Sequence, residues 1–193
     1  MRTLMRLMVN SNYLARLRNL IPHLTPDEIE AGRRWYRDAN SYAKSIYPSD
    51  VNRGAAIIAA LSPRVAWQTN LESASIIARA SQHSDIIPTV AGTYANTNKA
   101  WRIAKGQDIL SNLNQSYGAY KVNNFYRNIT LDFQPVTIDV WAARAVGYER
   151  DVIRGLKYLE IERAYQDAAR RYTSLEPAEL QAAIWIHTRG SAA

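Results

Sequence analysis

From Leu14 to His187 the apolar residues return every three or four positions, and no apolar–polar alternation lasts long enough to make a convincing strand. That spacing is the repeat of one face of an α-helix. Leu14, Leu17 and Ile21 make the first such face. Thr25-Pro26-Asp27-Glu28 then writes a helix start, with a threonine cap, a proline at the first helical position and a glutamate able to close a capping box. This second helix carries Ile29, Trp35, Tyr36, Ala39 and Tyr42 toward a stop near Pro48. Ser49 is the expected cap of a third helix containing the apolar run 55–61. Ser62-Pro63 breaks it before a helix bearing Trp67, Leu71, Ala74 and Ile77. Residues 93–105 read as a helix ended by Gly106. Residues 122–131 and 139–146 follow, the latter stopped at Gly147. Ile161, Ala164, Tyr165, Ala168, Ala169 and Tyr172 keep to one inward face, and a final helix, capped near Ser174 with Pro177 in its first turn, carries Leu180, Ala183, Ile184 and His187. The best strand candidate is 136–138, too short to build a sheet. The expected fold is all-α, a single domain whose helices form two lobes around a cleft, residues 50–131 in one and 1–49 with 132–193 in the other.

A chain of 193 residues, 47% hydrophobic, has enough apolar surface to bury such a core. There is no cysteine, which removes disulfides, thiolate zinc sites and cysteine-ligated iron–sulfur clusters. His23, His83 and His187 are too scattered for a metal site, and His187 on an apolar face reads as a hydrogen-bonded core histidine. Neither a glycine-rich phosphate loop nor a GxSxG turn is present, so no metal or cofactor is expected. The longest apolar run, 55–61, is far shorter than the roughly 18 residues of a membrane span, so no membrane partner is expected. Arg2, Arg6, Arg16 and Arg18 precede the first acidic residue, Asp27. That bias is shared by organellar presequences, but an ordinary first helix in a cytoplasmic protein of a bacterium or phage-infected cell is the reading taken. The net charge of +7 comes from 24 Lys and Arg against 17 Asp and Glu, interleaved with Tyr, Trp and Asn. Such a surface suits a polyanion whose bases stack on aromatic rings; the plainer alternative is a soluble basic protein.

Residues 118–147, GAYKVNNFYRNITLDFQPVTIDVWAARAVG, carry a turn, a lysine, an amphipathic helix, a proline-marked loop and then Ile-Asp-Val opening another helix. This order resembles the catalytic core of the helix-hairpin-helix DNA glycosylases, the superfamily that includes endonuclease III and the 8-oxoguanine glycosylases. The likeness spans roughly residues 50–190, and the block from Lys121 to Asp139 is its specific part. By resemblance, Lys121 attacks the sugar and forms a Schiff base, while Asp139 activates the nucleophile and stabilises the charged intermediate. Cleaving a base from deoxyribose builds positive charge at the anomeric carbon, so a carboxylate and an amine or water are the groups such chemistry needs. Eighteen residues separate the two, enough for one helix and a returning loop.

A free lysine titrates near ~10.4 and is protonated at neutral pH. A helix N-terminus disfavours the cation by only about 0.3–1 kcal/mol, so burial against Tyr120, Phe125 or Trp141 must supply most of any activation. Without the resemblance, Lys121 reads as a solvated surface charge and Asp139 as an ordinary N-cap. The cap and the catalytic role are compatible, because a capping aspartate is itself held rigidly.

The hairpin is degenerate. Family members usually carry two glycines separated by one residue ahead of the lysine, whereas Ser116-Tyr117-Gly118-Ala119-Tyr120 holds one, displaced by one place. Phosphate contact then falls to Gly118 with Asn114, Ser116 or Tyr120. Trp141 replaces the histidine common after the family aspartate. The stretch 59–64 followed by Trp67 and Asn70 resembles the loop that wedges into the gap left by a flipped base, with Arg64 or Gln68 as the wedge. A proline-ended buried helix with an arginine on its rim is the structural alternative. Asn96-Thr97-Asn98-Lys99-Ala100 resembles the start of the helix ahead of the hairpin, and residues 184–190 resemble the closing helix. The resemblance thus implies DNA contacts from Arg64, Gln68, Lys99, Arg102, Gly118, Tyr120, Arg127 and Arg144, and a base site lined by Trp67, Phe125 and Trp141. It implies a monomeric DNA glycosylase, with AP-lyase activity if the lysine reacts. The competing readings are a bacteriophage enzyme that modifies a flipped pyrimidine, a non-catalytic helical DNA-binding module, and an interaction protein without DNA.

Overall fold

The structure, a computed structural model, describes residues 11–114 and 119–190. Among the described residues there are ten α-helices, one 3-10 turn and no strand. The helices are α1 (Ser11–Leu20), α2 (Pro26–Ile46), α3 (Val51–Leu61), α4 (Trp67–His83), α5 (Tyr94–Ala104), α6 (Ile109–Leu113), α7 (Ala119–Ile129), α8 (Val140–Ala145), α9 (Gly155–Tyr172) and α10 (Pro177–Arg189). The all-α expectation holds among these residues, and no helix is long and apolar enough to cross a membrane.

The caps explain most of the boundaries. Thr25 and Glu28 form the expected box, the Thr25 N–H donating to Glu28 Oε2 at 2.8 Å and the Glu28 N–H to Thr25 Oγ1 at 3.2 Å. Two caps differ from expectation. Asp50, not Ser49, starts α3 by accepting from the Arg53 N–H at 3.1 Å. Aspartate is at least as good a cap as serine, and its place directly before the helix decides between them. Glu176, not Ser174, precedes α10. Its N–H donates to Glu179 Oε2 at 3.1 Å, while Ser174 Oγ accepts from Arg33 at 3.1 Å. Helix α7 stops two residues before the expected 131, because Leu131 takes a left-handed conformation with φ 68°. Helix α6 was not anticipated, having only five residues and little room for an apolar period.

The chain divides into two compact units, one from the described residues of Met1–Trp35 and Phe133–Ala193, the other Tyr36–Asp132. The first division falls inside α2. In the Tyr36–Asp132 unit, α3 is buried from Gly54 to Leu61 on every face and packs with α4, α5 and α7, as a helix apolar all round must. Gly54 is required there by close approach: a Cβ would sit 2.3 Å from the Ala43 carbonyl oxygen of α2. Side chains also reach otherwise orphaned helix carbonyls. Asn40 donates to Ile129 O at 2.9 Å and Tyr47 to Ala104 O at 3.2 Å.

The other unit is centred on α9 and α10, with Tyr158, Ile161, Ala164, Tyr165 and Ala168 of α9 and Leu180, Ala183 and Ile184 of α10 buried together with Leu17 of α1 and Ala142 and Ala143 of α8. Within it, residues 135–138 are buried and lie in neither a helix nor a strand. Buried backbone polar groups need partners, and α9 supplies them from one stripe. The Tyr158 hydroxyl donates to Val136 O at 2.9 Å and accepts from the Ile138 N–H at 3.0 Å. Glu162 Oε1 accepts from the Val136 N–H at 2.9 Å, and Gln166 donates to Gln134 O at 3.0 Å. Residues 158, 162 and 166 recur every four positions and so share a helix face.

Candidate functional site

Lys121 and Asp139 fall in different units. Asp139, itself extended, stands where the buried segment 135–138 ends and α8 begins. Its Oδ1 accepts from the Trp141 N–H at 3.0 Å and the Ala142 N–H at 2.8 Å, the cap geometry foreseen from sequence. Its Oδ2 accepts from the Trp185 indole N–H of α10 at 3.2 Å. A carboxylate offers about four acceptor positions, so capping leaves room for further contacts. The side chain is only half-buried. Tyr165 lies beneath, wholly buried, its hydroxyl donating to Ala142 O at 3.0 Å. Burial first, and the nearby Asp139 charge second, push the Tyr165 phenol well above its ordinary range.

The surroundings of Asp139 are aromatic and basic. The Trp185 ring has Trp35 at 5.0 Å between centroids, tilted by 46°, and the Arg189 guanidinium 5.0 Å from its centroid. Trp141 has the Arg144 guanidinium at 5.2 Å, and Arg144 also reaches Asp151 at 3.3 Å. Trp35, Trp185 and Arg189 were not singled out as site residues. The sequence signal was weak: Trp185 is 46 positions from Asp139 and sits in a helix that reads simply as core. His187, two residues on, pairs through Nδ1 with Glu28 at 3.0 Å, so it is a hydrogen-bonded histidine but a partly exposed one.

In the Tyr36–Asp132 unit, α7 carries Lys121 and Phe125 one turn apart on a common face. Phe125 meets Trp67 edge-on at 6.1 Å and Tyr36 at 6.2 Å. Two of the three expected base-site aromatics are therefore in contact, and Trp141 belongs to the other unit. Tyr120 is 46% exposed and supplies little of the burial expected for Lys121, which is partly buried. No carboxylate pairs with Lys121 among the described residues. Trp67 opens α4 directly after the loop 62–66, where Arg64 is exposed with φ 62°. A left-handed arginine is costly for a side chain with a Cβ, and such conformations concentrate at functional loops. Gln68 is exposed and donates to Glu72 at 3.3 Å.

The remaining cations divide by their partners. Lys99 is partly buried on α5, and burial first, then the neighbouring Arg102 charge, hold its pKa below the ordinary lysine value. Arg102 Nε donates to the buried Asn112 at 2.8 Å, so the helix holds two like charges one turn apart. Arg127 is committed to Asp132, both Nε and Nη2 reaching Oδ2 at 2.9 and 2.6 Å. Asn114 ends α6 and accepts from the Asn123 amide. Gly118 and Ser116, and with them the turn of the hairpin, lie outside the described residues. Among the described residues no group of three His, Asp or Glu side chains is placed to hold a metal ion.

No curated protein and no solved structure matches the chain. A family model does match, over residues 7–192, and the chain belongs to that family of unknown function, DUF7178.

Proposed function

We propose that the protein is a DNA glycosylase that acts on a flipped base and cleaves its N-glycosidic bond. The observation that carries this reading is Asp139: a half-buried carboxylate, oriented by two backbone N–H groups and an indole N–H, beside tryptophans and arginines. Fixed negative charge of this kind stabilises the cation that develops at the anomeric carbon as the base departs. Lys121 is kept, from the family resemblance, as the amine of a lyase branch, in which an amine displaces the base at the anomeric carbon, the ring oxygen leaves as a hydroxyl, and borohydride reduces the resulting iminium to a stable amine. Support for a polyanionic substrate comes from Lys99 and Arg102, two like charges one turn apart on α5, and from the exposed Arg64. Trp67, partly exposed and backed edge-on by the buried Phe125, offers aromatic surface to an unstacked base.

The test is incubation with abasic-site and modified-base duplexes in borohydride, scoring covalent adduct and free base. Wild type should release base; the Asp139→Asn protein should bind DNA but release none, since asparagine still caps a helix while lacking the charge. Lys121→Gln should lose the trapped adduct. An adduct that survives Lys121→Gln refutes the lysine assignment. Salt-sensitive binding without adduct or base release refutes the glycosylase and leaves base modification or plain DNA binding in its place.

A further inference from the structure

We infer that Trp185 is the positioning residue of the Asp139 carboxylate, an inference that rests on the catalytic reading of Asp139. The two oxygens of that carboxylate have different duties. Oδ1 is taken by the backbone of α8, at Trp141 and Ala142, as any cap would be. Oδ2 is not needed for capping, yet it is met by a side-chain donor from another helix, the Trp185 indole at 3.2 Å. Oδ2 is therefore the oxygen left over from the cap, and one indole N–H fixes where it points.

The ring that carries this N–H is itself fixed. Trp35 packs against it at 5.0 Å, and the Arg189 guanidinium, one turn further along α10, is 5.0 Å from its centroid. An indole has one donor and no acceptor, so this N–H can only donate. Serine or threonine in the same place would swing between partners; an indole clamped by its neighbours cannot. Rotation of the carboxylate about its terminal bond is otherwise soft, because that torsion is broad. A carboxylate fixed through one oxygen by the backbone and through the other by a clamped indole has lost that freedom before substrate arrives. Small errors of placement at a reacting centre are expensive in rate, about 100-fold for a displacement near 1 Å.

Trp185→Phe keeps an aromatic ring between Trp35 and Arg189 and removes the N–H. The expected result is a fall in the single-turnover rate of base release of about 10- to 100-fold. DNA affinity should stay close to wild type, since the ring packing survives, while loss of the hydrogen bond to the carboxylate should lower the melting temperature by several degrees. A merely structural tryptophan would lower stability and leave the rate of the folded fraction unchanged, and that outcome overturns the inference. The second measurement needs neither DNA nor activity: the indole N–H resonance of Trp185 in nitrogen-15-labelled protein, assigned by its loss in Trp185→Phe. Replacing Asp139 by Asn should move it, because a charged acceptor is exchanged for a neutral one. If that resonance is indifferent to Asp139→Asn, the hydrogen bond is absent and the inference fails even where activity is present. If the resonance moves but wild-type protein neither releases base nor forms adduct, the glycosylase reading fails and the positioning role for that reaction falls with it, while the hydrogen bond stands.

Discussion

Removing one oxygen atom, in Tyr158→Phe, tests how the chain delivers Asp139. The Tyr158 hydroxyl ties down the buried segment 135–138, donating to Val136 O at 2.9 Å and accepting from the Ile138 N–H at 3.0 Å, with the side chain 2% exposed. Phenylalanine keeps the ring and its packing. What is lost is one partner for a buried carbonyl and one for a buried N–H, each costing about 1–3 kcal/mol when water cannot replace it. Removal of the hydroxyl itself refunds part of this, because its own burial no longer needs satisfying. A net loss of about 2–4 kcal/mol follows, which for a chain of this length lowers the melting temperature by roughly 4–16 °C. Urea titration with thermal melts followed by circular dichroism would measure it. The helix content should be unchanged below the transition, because the segment is not helical. If the variant unfolds within about 0.5 kcal/mol of wild type, the segment does not depend on this hydroxyl. The account of how α9 holds the approach to Asp139 would then be wrong.

Gly54→Ala should destabilise the protein despite the gain of about 1 kcal/mol in helix propensity, because the new Cβ would meet the Ala43 carbonyl at 2.3 Å and helix backbones must part; a raised urea midpoint would contradict this. Glu28→Gln should lower stability at neutral pH. The Thr25 backbone hydrogen bond first, and His187 next, hold the Glu28 carboxyl below its ordinary value of about 4.5. A carboxyl depressed on folding stabilises above its unfolded pKa and loses that contribution as pH falls through the folded one, so the gap between variant and wild-type melts should close as the pH drops below about 4. Lys99→Met should act in opposite directions on stability and binding. Burial and Arg102 depress the lysine pKa, so its charge costs the free protein stability at neutral pH, a cost that fades as pH rises through the lysine range. The variant should therefore melt higher at pH 7 yet bind duplex DNA more weakly, with a shallower salt dependence. Melting and binding that fall together would refute the idea of an unneutralised cation kept for an anion.

The helices were legible because their signals are local. The period of α9, the Thr25 box and the Ser62-Pro63 break each lie within a few residues of what they determine. Where two good caps stood side by side, as at Ser49 and Asp50, sequence offered the right motif and the wrong residue. Asp139 was legible for the same reason, since capping is a contact over two or three positions. The contacts that make it more than a cap were not: the indole of Trp185 and the Tyr158 and Glu162 partners of the segment come from helices more than 15 residues away in the chain. No periodicity encodes which face of α10 meets α8. The aromatic pair Trp67 and Phe125 was nominated by resemblance, and its contact rests on α3, α4 and α7 packing together, again beyond local reach.

Asp139 also shows why a structural and a chemical role need not compete. If capping alone had selected this residue, serine, threonine or asparagine would serve as well, since all four place an oxygen against the N–H groups of the first turn. Aspartate differs from them in carrying a full negative charge. At this position that charge is partly desolvated and lies above a buried tyrosine whose ionisation it opposes. A carboxylate taken partly out of water costs more to keep than a neutral cap does. The favourable dipole at a helix start offsets about 0.3–1 kcal/mol, and α8 is only six residues long. A clamped indole on the second oxygen offsets more, as hydrogen bonds to ions contribute about 1.5–3 kcal/mol. A tryptophan of another helix thus holds a charge that capping does not require, which is what the proposed use of that charge in base release calls for.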